Sequence, residues 1–565
     1  VRRRVPAILA LVLGLVVFGP ALGTLSSAFF GRAYVDAWGT QWFYWMTARA
    51  AARLEGFGWT DLFFYPWGKD LYLHTGGNVL DGLLAWPLRA LLGPVLGYNL
   101  FVLLLLAGNG LGMAHLLRRL GVKQPGVASV LFAFNPWALH ELRDGRPTQA
   151  LLAFVLLFWA DFLVLDKDRS WRTPLRAGLW LALAGITYWY NALFCGIAAG
   201  IFALLARRGL RSRILAGVVA LALVAAFAVP MLTAPDVPGR LATDTWTLTS
   251  WSPVTREGIA VGLYAFDPAT LGSGFWAVKM DGGMAFLRQD TNVFVTEVVL
   301  LALGLWACPP RVRRPVLVLA VVSLAIAVGP TLFGLPNPVY LLLARSSAIF
   351  QRLWWPTRAL VLGHLAIGIA AGLLLHRLGR LGPVATIVLA VPWILELRAA
   401  DLGPMATWDA RVPPAYTCLA AAPKGAVLEL PYATTQAHLW FQATHGHPLF
   451  GGMLEDNPVF APPEQLRYRR ENSFVSAVIE QAALAAHPSY FTYPDAAALH
   501  TLGYRWIVLD KRAYELAFAA DPNQAPLVGG LARARNALIQ LLGAPAWEDP
   551  ETAIFAPWGD GSPCK

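Results

Sequence analysis

The chain of 565 residues is 57% hydrophobic and only 14% charged. Soluble domains carry about 25% charged residues, so the composition excludes an ordinary soluble enzyme and makes lipid part of the solvent. The net charge of +11 does not point to nucleic acid, because Arg and Lys fall in short clusters between apolar runs, as in cytoplasmic loops of membrane proteins.

Taken in order, Val5 to Phe30 reads as a first span. Arg2, Arg3 and Arg4 hold its start in the cytoplasm, and without a small-residue cleavage site it reads as a signal anchor. Residues 31–97 then form a long external loop. Within it, Thr40 to Leu54 has an apolar face opposite Arg49 and Arg53 and is expected to lie in the interface as a helix. Leu80 to Leu92 is apolar but short and carries Asp81, Pro87 and Arg89, so it reads as re-entrant or interfacial. Tyr98 to Leu117 spans, ending inside at Arg118, Arg119 and Lys123. Gly126 to Leu139 is a short span broken at Asn135-Pro136, and it delivers His140 to Gln149 (HELRDGRPTQ) to the outside. Ala150 to Leu165 returns, Leu175 to Ile186 rises to Thr187–Asn191 (TYWYN), Ala192 to Leu205 descends, and Ile214 to Leu232 rises. Residues 233–292 make a second long external loop. Val293 to Cys308 and Val316 to Leu332 follow, then a third external loop, 333–358, ending in QRLWWPTR. Ala359 to Leu375 and Val384 to Leu397 complete the set.

This is about eleven spans, several of them approaching the ~20 residues that cross a bilayer as helix. The basic clusters of the short loops all fall on one side and the long loops on the other. The division expected is a transmembrane region, 1–399, and an extracytoplasmic α/β domain, 400–565. In the latter, GAVLELPY, RWIVLDK and TAIFAPW read as short strands. Pro462 to Ala485 and Ala525 to Leu542 have helical periods. Cys195 and Cys308 read as packing residues. Cys418 and Cys564 flank the last domain and form either a disulfide, if that domain is external, or two free thiols.

Several residues stand out chemically. Asp36 sits at the end of the first span, where a carboxylate is either functional or the N-cap of the following helix. His140, Glu141, Asp144, Arg146 and Gln149 follow a Pro-broken span, which suits a segment lining a watery cavity; the alternative is a solvated turn. Arg352 and Arg358 flank Trp354-Trp355-Pro356, placed either to grip a phosphate or to anchor at the interface. Tyr188, Trp189 and Tyr190 suit stacking on a sugar or an interfacial belt. Lys69, Asp70 and His74 bind substrate or are simply solvated. His438, His445 and His447 lack a metal-ligand spacing.

The stretches VDAWG, FFYPWGKDLYLHTG, FAFNPWALHELRDGRPTQ and QRLWWPTR, with the C-terminal GAVLELPY, HPLFGG and LGYRWIVLDK, together resemble the GT-C membrane glycosyltransferases. These enzymes use polyprenyl-phosphate-linked sugars. The resemblance implies Asp36 as the first-loop catalytic acid, acting as base on an acceptor hydroxyl or helping to hold Mg2+ or Mn2+. It implies Glu141 or Asp144 as the second-loop acid, and Arg352 or Arg358 as holder of the lipid phosphate. Many members carry an acidic pair in the first loop, whereas Asp36 has no adjacent acid, so metal use stays open. The expected activity is inverting transfer, since no pair of retaining carboxylates is evident. It would run from a polyprenyl-phosphate donor to a glycan, lipid or protein acceptor of the cell envelope, on the outer face of a bacterial inner membrane. The runner-up is a transporter or flippase for lipid-linked glycans, which would place its charges mid-span. The candidates for that are Asn109, His115, Asp161, Glu297 and His364. A third reading is a scaffold whose last domain binds glycans.

Overall fold

The computed structural model describes residues 4–33, 35–71, 79–168, 170–206, 209–233, 293–328, 331–332, 335–346, 356–453, 455, 461–484, 492–514, 530–559 and 561–564. They belong to a multi-pass membrane protein that is mostly helical and has a mixed sheet toward its C-terminus. Among the described residues, four helical stretches are long and apolar enough to cross a membrane: Pro94–Arg119, Trp189–Ala206, Leu210–Val229 and Pro356–Leu378. Shorter apolar helices accompany them, including Val5–Phe18 and Val295–Ala307.

Two compact units are present. The first comprises Val1–Arg32, Leu84–Thr233 and Thr243–Trp408. Its centre is the helix Leu360–Leu378, buried along most of its length and packed by Val295–Ala307, Pro310–Ala327 and Gly126–Ala133. Lipid gives helices no hydrophobic reason to associate, so close backbone approach at small residues supplies the attraction. Gly304 shows this: a Cβ there would stand 2.5 Å from that of Ala370.

Buried asparagines satisfy backbone where helices break. Asn99 Nδ2 donates to the carbonyls of Leu25 and Ala28 at 2.8 Å each, and its Oδ1 accepts from Phe30 N at 2.9 Å. Asn109 Nδ2 donates to Ala150 O and its Oδ1 accepts from Leu152 N, each at 2.8 Å, bridging the break between Pro147–Ala150 and Ala153–Phe162. Unpaired backbone in a membrane costs several kcal/mol per group, so both asparagines have structural work.

The second unit comprises Ala33–Leu83, Ala234–Ala242 and Asp409–Lys565. Its four-stranded sheet runs in the order Ala426–Leu430, Tyr504–Asp510, Thr552–Phe555, Trp547–Glu548. The first pair is parallel and the others antiparallel. The helix-like stretch from Pro462 is two helices, Pro463–Glu471 and Ser473–Ala482. Asn472 separates them by capping the second, its side chain accepting from Val475 N at 2.9 Å. Cys418 is bonded to Cys564.

Residues 33–83 of the first loop belong to this unit. Phe64 N and Tyr65 N donate to Gly451 O and Leu449 O at 2.9 Å each, and Tyr504 Oη donates to Tyr65 O. The Val35–Arg53 helix packs on the helix Ala437–His445. Trp42 Nε1 donates to Gln442 Oε1 at 2.6 Å, and the Trp42 ring stacks on Phe63 at 3.9 Å. Residues 37–44 are buried on every side, which differs from the expected interfacial helix with one face in lipid. The cause is that the sheet-bearing segment covers the second face.

Candidate functional site

In the first unit, Asn135 caps the helix Pro136–Arg143, its side chain accepting from Ala138 N at 2.9 Å while its Nδ2 donates to Phe132 O at 2.6 Å. The chain then turns through Gly145 at φ +76°, a conformation in which glycine costs little. This brings His140, Glu141, Asp144, Arg146 and Gln149 together, all buried, so the segment is not a solvated turn. Arg146 is the hub. Its Nε donates to Glu141 Oε2 at 2.5 Å, and its Nη2 donates to Asp144 Oδ2 at 3.1 Å and lies 3.3 Å from His140 Nε2. Arg143 Nη2 is 3.2 Å from His140 Nδ1, and its Nη1 donates to the carbonyls of Ala400 and Asp401 at 3.3 and 3.1 Å. Arg32 Nε reaches Asp144 Oδ1 at 2.8 Å.

Burial alone would raise the Asp144 carboxyl. His140, Arg146, Arg32 and Arg143 outweigh it and hold the group well below the usual carboxylate range. A carboxylate so committed is a weak proton acceptor. Three guanidinium groups face the buried carboxylates of Glu141 and Asp144, and Arg143 also lies 3.6 Å from the exposed carboxylate of Asp401.

Thr148 Oγ1 donates to Thr187 O at 2.8 Å, tying this loop to the TYWYN corner. There Trp189 stacks on Tyr190 at 3.7 Å. The guanidinium of Arg358, on the short turn Pro356–Ala359, lies over Tyr188 at 5.5 Å and over Tyr190 at 5.3 Å. Tyr188 is in electrostatic contact with Arg358, Glu141 and Arg146. The second-loop cluster, the tyrosines and Arg358 are therefore one neighbourhood. Tyr188 and Tyr190 are buried, unlike belt residues. Arg352 and His74 lie outside the described residues.

In the second unit, Asp36 falls inside the first turn of the Val35–Arg53 helix, so it is not the N-cap. The helix dipole favours a carboxylate there. Lys69 and Asp70 form a short strand paired with Trp59–Thr60, Thr60 opposite Lys69. Burial of Lys69, opposed by Asp70, brings its amine down from 10.5 to about 7. The ammonium site lies 5.6 Å from the Phe64 ring. Among the described residues, no group of three or more His, Cys, Asp or Glu side chains is gathered to hold a metal ion.

No protein-family model matches the chain, and no curated protein matches it in sequence. Solved structures do. The apo oligosaccharyltransferase of Archaeoglobus fulgidus superposes with a TM-score of 0.52 at 13% identity, over 93% of this chain and 72% of that one. The chain shares the fold of that membrane enzyme. The same archaeal enzyme bound to an inhibitory peptide and a dolichol-phosphate matches at TM-score 0.48 and 14% identity, over 93% and 72%. ArnT from Cupriavidus metallidurans bound to undecaprenyl phosphate matches at 0.40 and 13% identity, over 99% and 98%.

Sequence reasoning had missed Arg32 and Arg143. The Arg32-Ala-Tyr-Val-Asp36 stretch carried a signal, an arginine at the membrane edge, but its partner Asp144 is remote in sequence. The pairing of Arg358 with Tyr188 and Tyr190 left no local trace at all.

Proposed function

We propose that the protein is a glycosyltransferase moving a sugar from a polyprenyl-phosphate donor to a cell-envelope acceptor on the outer face of a bacterial inner membrane. The observation that carries this reading is the neighbourhood of the half-buried Arg358, the buried Tyr188 and Tyr190 and the buried Arg146 cluster, a cationic and aromatic site in a membrane unit. Guanidinium groups hold phosphate in a bidentate way, and aromatic faces carry sugar rings. In this reading about eleven spans form the membrane region, 1–399, and residues 400–565 lie outside.

An acceptor hydroxyl oxygen attacks the anomeric carbon and the carbon–oxygen bond to phosphate breaks. The polyprenyl phosphate leaves with the electron pair, its charge met by Arg358, with Arg352 as a further candidate. Asp36 takes the hydroxyl proton. Glu141 and Asp144 hold Arg146 and Arg143 in place, with His140 and Gln149 beside them. Lys69, Asp70 and His74 are assigned to substrate. The sugar inverts.

The test uses the full chain in liposomes with a panel of labelled polyprenyl-phosphate sugars. Asp36→Asn should lower transfer by about 10²–10⁴-fold, the range of a general base, with membrane insertion unchanged. Arg358→Ala should weaken polyprenyl phosphate binding by roughly 10–100-fold. Full transfer by the Asp36 variant would remove Asp36 from the mechanism. Donor flipping without transfer by the native chain would favour the flippase.

A further inference from the structure

Asp81 lies in the first turn of the Val79–Leu92 helix, outside the long apolar helices, and is buried to 0% exposure. Tyr44, on the Val35–Arg53 helix, donates to Asp81 Oδ2 at 2.7 Å. Asp81 Oδ1 is also buried and has no hydrogen-bond partner among the described residues. The two helices meet closely at this point, since a Cβ on Gly82 would stand 3.1 Å from the Thr47 side chain. Tyr44 lies eight residues, about two helical turns, beyond Asp36 on the same rigid helix.

We propose that Asp81 is a positioning residue, a buried carboxyl that latches the Asp36-bearing helix to the start of the Val79–Leu92 helix through Tyr44. The proposal rests on the reading of Asp36 above for its functional meaning, but not for its physics. A carboxylate held away from water is costly, while a carboxylic acid there costs far less. Burial moves the Asp81 carboxyl from 3.8 up to about 7, opposed by the Tyr44 hydrogen bond and by the amides of Asp81 and Gly82. Among the described residues no charged side chain contributes, and Tyr44 is the titratable group facing it. The latch is therefore set by external acidity. The closed state keeps a proton that the opened state gives up, so closure weakens as pH rises from about 3.8 and reaches its floor near 7.

Hydrogen exchange of the Val35–Arg53 amides in the full chain, corrected for the intrinsic pH dependence of exchange, tests this without any substrate. In the native chain, protection should fall by about tenfold per pH unit below the midpoint and then level off. Asp81→Asn should give a flat profile and higher protection at neutral pH. Tyr44→Phe removes the bond that favours the carboxylate, and should move the levelling point upward. Infrared absorption should show a buried carboxylic acid that disappears in the Asp81→Asn chain. A pH-sloped profile in the Asp81→Asn chain, or a levelling point that stays put in Tyr44→Phe, would overturn the proposal. Asp36→Asn should leave the slope and the levelling point set by Asp81 in place. A failure of Asp36 in the transfer assay therefore leaves the latch standing, and a failure of the latch leaves Asp36 standing.

Discussion

Replacing Glu429 by Gln should make the C-terminal sheet more resistant to opening at alkaline pH than at acidic pH, relative to the native chain. Glu429 is buried within the Ala426–Leu430 strand. Tyr416 Oη donates to its Oε2 at 3.1 Å, and its Oε1 has no hydrogen-bond partner among the described residues. Nearby, His438 pairs with Glu455 at 3.1 Å and Arg512 with Asp510 at 3.4 Å. Burial, with Asp510 and Glu455, pushes the Glu429 carboxyl from 4.5 up to about 8, against the pull of His438 and Tyr416. The folded sheet then keeps a proton that the unfolded chain releases above 4.5, so stability falls with rising pH through this window and is fully reduced above about 8. At about 1.4 kcal/mol per unit the ceiling is about 5 kcal/mol. Between about pH 5 and about pH 8 the loss is ~3.5 kcal/mol, on the order of a few hundredfold in exchange protection. His438 and Asp510 are also shifted upward and slope the same way, so the quantity to measure is the difference between the native and Glu429→Gln profiles. Hydrogen exchange of the Ala426–Leu430 and Tyr504–Asp510 amides gives it directly. Parallel profiles in the two proteins would refute the reasoning, because they would mean that Glu429 ionises in the folded sheet as freely as in water.

Three further perturbations have outcomes set by the same physics. Glu297→Ala leaves His364 unpaired inside the helical unit, where their contact is 2.8 Å; the cost should be ~3–5 kcal/mol, read as a lower melting temperature in detergent. Gly304→Leu should disrupt the packing of Val295–Ala307 on Leu360–Leu378 and cost at least the ~1–3 kcal/mol of an overpacked core, read by the same melt. Lys69, with its amine brought to about 7, should be acylated by a small anhydride with a midpoint near neutrality, while reaction that begins only in strongly alkaline solution would show it to be an ordinary lysine.

Elements with a strong local pattern were legible from the residues. The three C-terminal strands follow from short apolar runs bounded by Gly, Pro and charge, and the Asn135-Pro136 break follows from a cap residue before a proline. The split at Asn472 carried the same signal, Asn-Ser before an apolar run, and was read through because the flanking helical periods are nearly continuous. The start of the first-loop helix at Val35, one residue before Asp36, decided whether Asp36 capped it, and such boundaries depend on backbone contacts that propensity does not contain. The candidate site was legible as a list of residue types but not as pairings. Arg32 with Asp144, Arg358 with Tyr188, and Tyr44 with Asp81 each join residues far apart in sequence, and burial, which turns each from a surface charge into a constraint, has no local signature.

The polar groups inside the helices bear on the choice between transferase and flippase. A translocation path needs ionisable groups that can change partners as a substrate moves past. Asn109 is spent on the backbone of a broken helix. Asp161 is held by Arg119 at 2.8 Å and Arg176 at 2.9 Å. Glu297 accepts from Phe294 N at 3.1 Å besides its contact with His364, and Glu396 accepts from Thr296 N at 3.2 Å. These contacts fasten helices to one another, and moving a charge past them would break a buried pair at a cost of several kcal/mol each. In the proposed reading, contacts of this kind around the Arg358 neighbourhood suit a positioned transfer reaction, and alternating access would have to undo them.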